Sequence, residues 1–323
     1  MIRLTYLLAA SHSGSTLLAM LLGAHADVCT VGELKWTSMG DIDRYRCSCG
    51  ELIKQCSFWT GVRQSMKTRG FEFDLKDART DVRSGTRPYE RRLLGPLHRG
   101  PFLETVRDTA LALSPGWTHR LREHQARNRA LMESVLQSTG KDVLVDSSKV
   151  GIRLKYLLRI PEIDIRVIRV IRDGRAVALT YTDPAGFADA KDPSLKGGGS
   201  GASRDHQRLS MQRAAREWRR SNEEAETLLA QLPSTQWISL RYEDLCANPE
   251  DQLRRLFSFI GVDPEKPRPD FRRTNHHVVG NGMRLDTTSE IRVDNRWKDV
   301  LGPSELQTFA TVAGALNRGL GYA

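Results

Sequence analysis

The stretch LTYLLAASHSGSTLLAMLLGA, residues 4–24, decides how the chain is read. Leu4 to Ala10 is a short apolar run, Ser11 to Ser15 is a cluster of small polar residues around one His and one Gly, and Thr16 to Ala24 is rich in Leu, Ala and Met. That order predicts a buried strand, a tight loop and a helix. Small residues ahead of a helix let successive backbone N–H groups converge on an anion. The helix dipole adds about half a positive charge, and hydroxyls add donors. Ser11, His12, Ser13, Gly14, Ser15, Thr16 and Leu17 are therefore candidate anion-binding residues. The same residues also suit a plain strand-to-helix turn with a serine N-cap.

Further along, Val143 to Val145 before Asp146, Ile163 to Ile171, and Gln236 to Tyr242 read as three more short buried strands. Each is followed by a polar loop or a helix. The alternation predicts an α/β fold of three layers, with a mostly parallel central sheet flanked by helices. Ligands in such sheets bind outside the carboxyl ends of the strands, so chemistry is expected after Ala10, Val145, Ile171 and Leu240. Helical patterns are clearest at 207–232, 249–260 and 303–317. Residues 60–118, rich in Arg with broken apolar patterns, read as a helical insertion, and 183–206, containing Gly197-Gly-Gly-Ser-Gly201, as a mobile loop. The whole is read as a single domain over 1–323.

The chain carries 49 Lys and Arg against 39 Asp and Glu, a formal +10, and is 39 % hydrophobic. This is a globular composition. No run reaches the roughly 18 apolar residues of a membrane span. Arg3 is the only charge ahead of the first apolar run, which leads straight into the loop, so that run is kept in the fold rather than read as a signal peptide. Five Cys are too few for a disulfide scaffold and predict a reduced cytoplasm. The positive balance suggests an anionic partner. From Lys149 to Arg175 eight basic residues face three acidic ones. In that segment Arg172-Asp173-Gly174-Arg175 follows the third strand, with Thr180 eight residues after Arg172. A guanidinium fork and a hydroxyl beside a helix start would make a second phosphate site, though an Arg–Asp surface pair fits the segment too.

Taken together, the two segments resemble the sulfotransferases that use 3′-phosphoadenosine 5′-phosphosulfate (PAPS). In that family a Ser/Gly/Thr-rich loop holds the 5′-phosphosulfate, and an R-D-x-R-x-x-x-x-S/T segment holds the 3′-phosphate through its first Arg and last hydroxyl, here Arg172 and Thr180. Val145-Asp146-Ser147-Ser148-Lys149 is similar to the D-S-S-K of the carbohydrate and bacterial branches. Further likeness lies in Arg241-Tyr242-Glu243-Asp244-Leu245 and in Gly280-Asn281-Gly282-Met283-Arg284, with Trp297 downstream. The resemblance implies a P-loop-like sulfotransferase fold, PAPS as donor with no metal required, and a carbohydrate or small-molecule acceptor. Tyr242 and Arg284 join the donor-binding residues on this basis. Many relatives have Arg where His12 stands.

The resemblance also places Lys149 to stabilise the leaving phosphate. It points to Glu33, 21 residues after His12, as the base that takes the acceptor's proton. His12 is the rival base, although beside anionic oxygens a His is more naturally a charged donor. Cys47, Cys49 and Cys56 form a C-x-C-x₆-C cluster. No fourth ligand stands at a recognisable spacing, so the cluster reads as a structural loop rather than a metal site. Two other functions compete. A P-loop kinase is opposed by Ser15 where the pattern G-x-x-x-x-G-K-[ST] has Lys, and a non-enzymatic polyanion-binding module is suggested only by the net charge.

Overall fold

The structure is a computed structural model that describes residues 1–35, 39, 41–95, 100–184, 190, 192–195 and 208–323. Strands β1 (Ile2–Ala9), β2 (Val28–Thr30), β3 (Val143–Lys149), β4 (Ile163–Ile171) and β5 (Trp237–Arg241) form one sheet in the order β2-β3-β1-β4-β5. Every pairing is parallel. The chain leaves β1 toward β3 and β2, then returns to place β4 on the other side of β1. The crevice at the carboxyl end of β1 is thus the switch point at which such sheets bind ligands.

Both faces of the sheet are buried, which is why its strands read as nearly continuous apolar runs. Successive side chains alternate faces. Leu4, Tyr6 and Leu8 of β1 pack with Leu144, Ile163, Ile165 and Val167 in one core, whereas Leu7 and Ala9 pack with Val143, Val145, Ile168, Val170 and Leu240 in the other. The second core is closed by α1 (Ser15–Gly23) and by the helix Pro249–Ile260. The first is closed by α2 (Ser57–Thr68) and α5 (Trp117–Thr139), numbered after two shorter helices, α3 (Pro88–Leu93) and α4 (Gly100–Ala112). A third cluster joins α7 (Gly174–Thr182), α8 (Met211–Leu229) and the C-terminal helix Pro303–Gly319, with Trp218 and Phe309 at its centre. A short helix, α6 (Gly151–Leu157), follows β3.

Within 60–118 the described residues form α2, α3, α4 and the start of α5, with no helix over 69–87, and Trp59, Val62 and Met66 of α2 are fully buried in the main core. β2 escaped notice because three residues are too few to show a period. Most of the expected mobile loop 183–206 lies outside the described residues. No helix among the described residues is long and apolar enough to cross a membrane.

Gly32 fixes the exit from β2. Its φ is +82°, and a Cβ there would lie 2.1 Å from the carbonyl oxygen of Val279. Its own carbonyl accepts from Ser147 N at 2.9 Å. Gly70 has a similar φ, +85°, but open space around it. Gly32→Ala should therefore cost about 3 kcal/mol or more, through clash and left-handed strain together, whereas Gly70→Ala should cost only about 1 to 2 kcal/mol. Urea unfolding midpoints of the two variants test the difference.

Candidate active site

The loop after β1 is shaped by two left-handed residues, His12 at φ +64° and Gly14 at φ +84°. Gly14 caps α1, and no side chain caps the helix, so its first backbone N–H groups keep the capacity to bind an anion. Glycine is required at 14 for a second reason, since a Cβ would lie 2.4 Å from the Tyr242 ring. Tyr242 donates its hydroxyl to Arg292 O at 3.2 Å, and burial holds its phenol well above the usual range, so it remains a donor. Ser13 is 1 % exposed and its hydroxyl has no hydrogen-bond partner among the described residues.

At the end of β3 a buried carboxylate organises the backbone. Asp146 Oδ1 accepts from Leu34 N at 3.2 Å and from Ser148 N at 2.9 Å, while Oδ2 accepts from Arg153 Nε at 3.1 Å. Ser148 Oγ in turn accepts from Lys35 N at 2.9 Å. The segment 32–35 is thereby clamped to the strand end. Lys149 leaves the strand at φ +68°, and its Nζ donates to Glu33 Oε1 at 2.5 Å and to Ser147 O at 3.1 Å. Gly280 backs this pair, because a Cβ there would lie 3.3 Å from Glu33 Oε1. Lys35 stands nearby, its ammonium pushed down by burial against the opposing pull of Asp81 and Glu33.

At the end of β4, Arg172 is 6 % exposed. It donates Nη1 to His12 O at 2.7 Å and Nη2 to Asp294 O at 3.0 Å, and its guanidinium lies 4.6 Å from the Tyr242 ring centre. Its Nε has no hydrogen-bond partner among the described residues. Asp294 Oδ2 is 3.2 Å from Nη2. Burial pushes the Asp294 carboxyl up, but the hydrogen bond from Arg296 and the charge of Arg172 outweigh it and hold it down at about 2. The next helix is already capped, since Asp173 accepts from Arg175 N at 2.9 Å.

With these groups on one edge of the sheet, comparison becomes informative. A model of the Sulfotransferase family matches residues 120–266, which include β3, β4, β5 and the helix Pro249–Ile260. Over that part the chain is similar to the sulfotransferase family. A sulfotransferase from Mycobacterium avium is similar over 100 % of this chain and 78 % of its own, at 10 % identity and a TM-score of 0.50, which speaks for the fold alone. The sulfotransferase domain of the curacin biosynthetic pathway aligns over 100 % and 99 % at 15 % identity and TM-score 0.48. The sulfotransferase domain of the Synechococcus PCC 7002 olefin synthase aligns over 96 % and 94 % at 15 % and 0.47. No curated protein sequence matches significantly.

In this chain the loop 11–17, Glu33, Lys149, Arg172 and Tyr242 all stand at the carboxyl edge of the sheet. His12 also does, its ring edge-on to Tyr181 at 5.4 Å. Two sequence expectations meet different surroundings. Thr180 is 2 % exposed and donates its hydroxyl to Val177 O at 2.7 Å, because a helical Thr readily bonds back to the preceding turn. Arg284 is 2 % exposed and donates to the carbonyls of Arg46, Gly280 and Asn281, with its guanidinium 4.4 Å from the Tyr45 ring centre. It braces two loops. The cysteine cluster also has a neighbour that its sequence spacing does not show: His277, 221 positions beyond Cys56, meets it only in the folded chain. Sequence reasoning missed Arg153, Lys35 and Asp294, which belong to no motif and gain their roles from packing.

Arg153 is 3 % exposed, so removing its partner leaves a buried charge. Asp146→Asn is expected to destabilise by about 3 kcal/mol, and Arg153→Met in the same chain to recover part of the loss. A double-mutant cycle in urea measures the coupling.

Proposed function

We propose that the enzyme transfers a sulfonate from PAPS to a hydroxyl or amine of a carbohydrate or small metabolite, in the cytoplasm. The observation that carries this reading is the Glu33–Lys149 pair, held at 2.5 Å beside the uncapped start of α1. The donor supplies an electrophilic sulfur joined to a phosphate leaving group. Backbone N–H groups of residues 13–17 would hold its 5′-phosphate, and Ser13 Oγ and Arg172 Nε, two buried donors without partners among the described residues, fit an anionic ligand of this kind.

Glu33 accepts the acceptor's proton as its oxygen or nitrogen bonds to sulfur. The bond from sulfur to the bridging oxygen breaks, and its electron pair stays on the phosphate. Lys149 neutralises that charge, for which it must exchange Glu33 for the donor. Arg172 would meet the 3′-phosphate only by letting go of the Asp294 carboxylate, which stays ionised at every ordinary pH. A kinase reading gains no support, since Ser15 occupies the position of the phosphate-loop lysine.

Adenosine 3′,5′-bisphosphate should bind without magnesium, which separates this function from kinase and polyanion-binding alternatives. Arg172→Ala should weaken that binding by about 2 kcal/mol or more and leave adenosine 5′-phosphosulfate nearly unaffected. Equal loss for both ligands by calorimetry would show the 3′-phosphate to lie elsewhere. Glu33→Gln keeps size and hydrogen bonding, so turnover should fall by about 10²- to 10⁴-fold while bisphosphate affinity stays within about threefold. Full turnover in Glu33→Gln combined with an inactive His12→Asn that still binds bisphosphate would make His12 the base.

A further inference from the structure

Cys47 and Cys49 sit on a tight turn in which Gly50 N donates to Cys47 O at 2.9 Å and Gly50 adopts φ +90°. Cys56 immediately precedes α2. His277 comes from a distant segment, and two bonds dock that segment to the turn, Ser48 N to Val278 O at 3.2 Å and Val278 N to Ser48 Oγ at 2.8 Å. His277 itself is held at φ +54°, with its ring stacked on Phe58 at 4.4 Å and 2°. A non-glycine residue in that region is strained unless its surroundings impose it.

The four donor atoms, three Sγ and Nδ1 of His277, all lie within 4.8 Å of one another. Cys49 and Cys56 sulfurs are 3.8 Å apart, and His277 Nδ1 is 3.6 Å from Cys47 Sγ and 3.5 Å from Cys56 Sγ. A tetrahedral zinc ion with Zn–S of about 2.3 Å and Zn–N of about 2.0–2.1 Å requires S···S edges of roughly 3.8 Å and S···N edges of roughly 3.6 Å. The three edges given above have those lengths. A disulfide would need a sulfur separation of about 2.05 Å, and all five cysteines are free.

We infer that Cys47, Cys49, Cys56 and His277 form a closed structural zinc site. Thiolate and imidazole ligands select zinc over magnesium or calcium, and four protein ligands leave no position open for chemistry. The site fastens the turn 45–56 to the segment 277–284. That segment carries Gly280 against Glu33, and Arg284 ties it to Arg46 O. Zinc therefore stiffens one wall of the Glu33–Lys149 pair without touching it. The inference does not depend on which group is transferred.

The test uses the full chain, purified without added chelator and without a histidine tag. Elemental analysis should find about one zinc per chain, and a mercurial that caps thiols should release it. Replacement by cobalt should give the intense visible bands and the sulfur charge-transfer band of a tetrahedral thiolate site. Cys56→Ser and His277→Ala should each retain less than about a tenth of the zinc. Because either variant could unfold, the wild-type chain decides. If that chain, given zinc chloride, holds no zinc at micromolar concentration, or if mass analysis finds a disulfide among the three cysteines and no metal, the inference is overturned.

Discussion

The buried Asp146 carboxylate is the constraint on which the candidate site depends. It stands at the end of β3 with no exposed surface and is satisfied on both oxygens, by two backbone N–H groups on one side and the Arg153 guanidinium on the other. A charge so buried is tolerated only when paired and fully hydrogen-bonded. Meeting that demand fixes the course of residues 32–35 relative to the sheet. Glu33 and Lys149 then face each other as a consequence of how their backbones are held, not through attraction alone. Arg153 also donates to Thr80 O at 2.7 Å, which draws the segment after α2 into the same arrangement.

Backbone strain concentrates around this arrangement. The non-glycine residues with left-handed φ are His12, Arg79, Lys149 and His277 among those described. His12 turns the anion loop, Lys149 turns the end of β3, and His277 turns the segment that supports Gly280. Each such residue costs on the order of 1–3 kcal/mol unless the structure around it compels the conformation. Here the surroundings are compelling: Arg172 holds His12 O, Glu33 holds Lys149 Nζ, and Phe58 and Ser48 hold the His277 segment. A rigid sheet edge, not the loops' own preferences, supplies the energy.

Arg172 shows how a residue's place can be legible in the sequence while its partners are not. Its place after the third apolar strand follows from the residues themselves. In this structure it binds the His12 carbonyl and the Asp294 carboxylate, which lie 160 and 122 positions from it along the chain. An arginine buried at a strand end needs a counter-charge whenever no ligand is present. Asp294 meets that need, and nothing in its local sequence announces it.

The amino-acid sequence by itself determined the α/β class, the strands β1, β3, β4 and β5, the helix Pro249–Ile260, and which loops lie at the carboxyl ends of the strands. These follow from local apolar periodicity and from small residues at strand ends, which act over a few positions. Only the tertiary structure decided the partners. That Asp146 would clamp Leu34, that Arg284 would donate to the Arg46 carbonyl, that α2 would enter the core, and that His277 would meet three cysteines are all contacts between residues far apart along the chain. A short apolar run records that it is buried but not against what, and a polar side chain records its chemistry but not its neighbour.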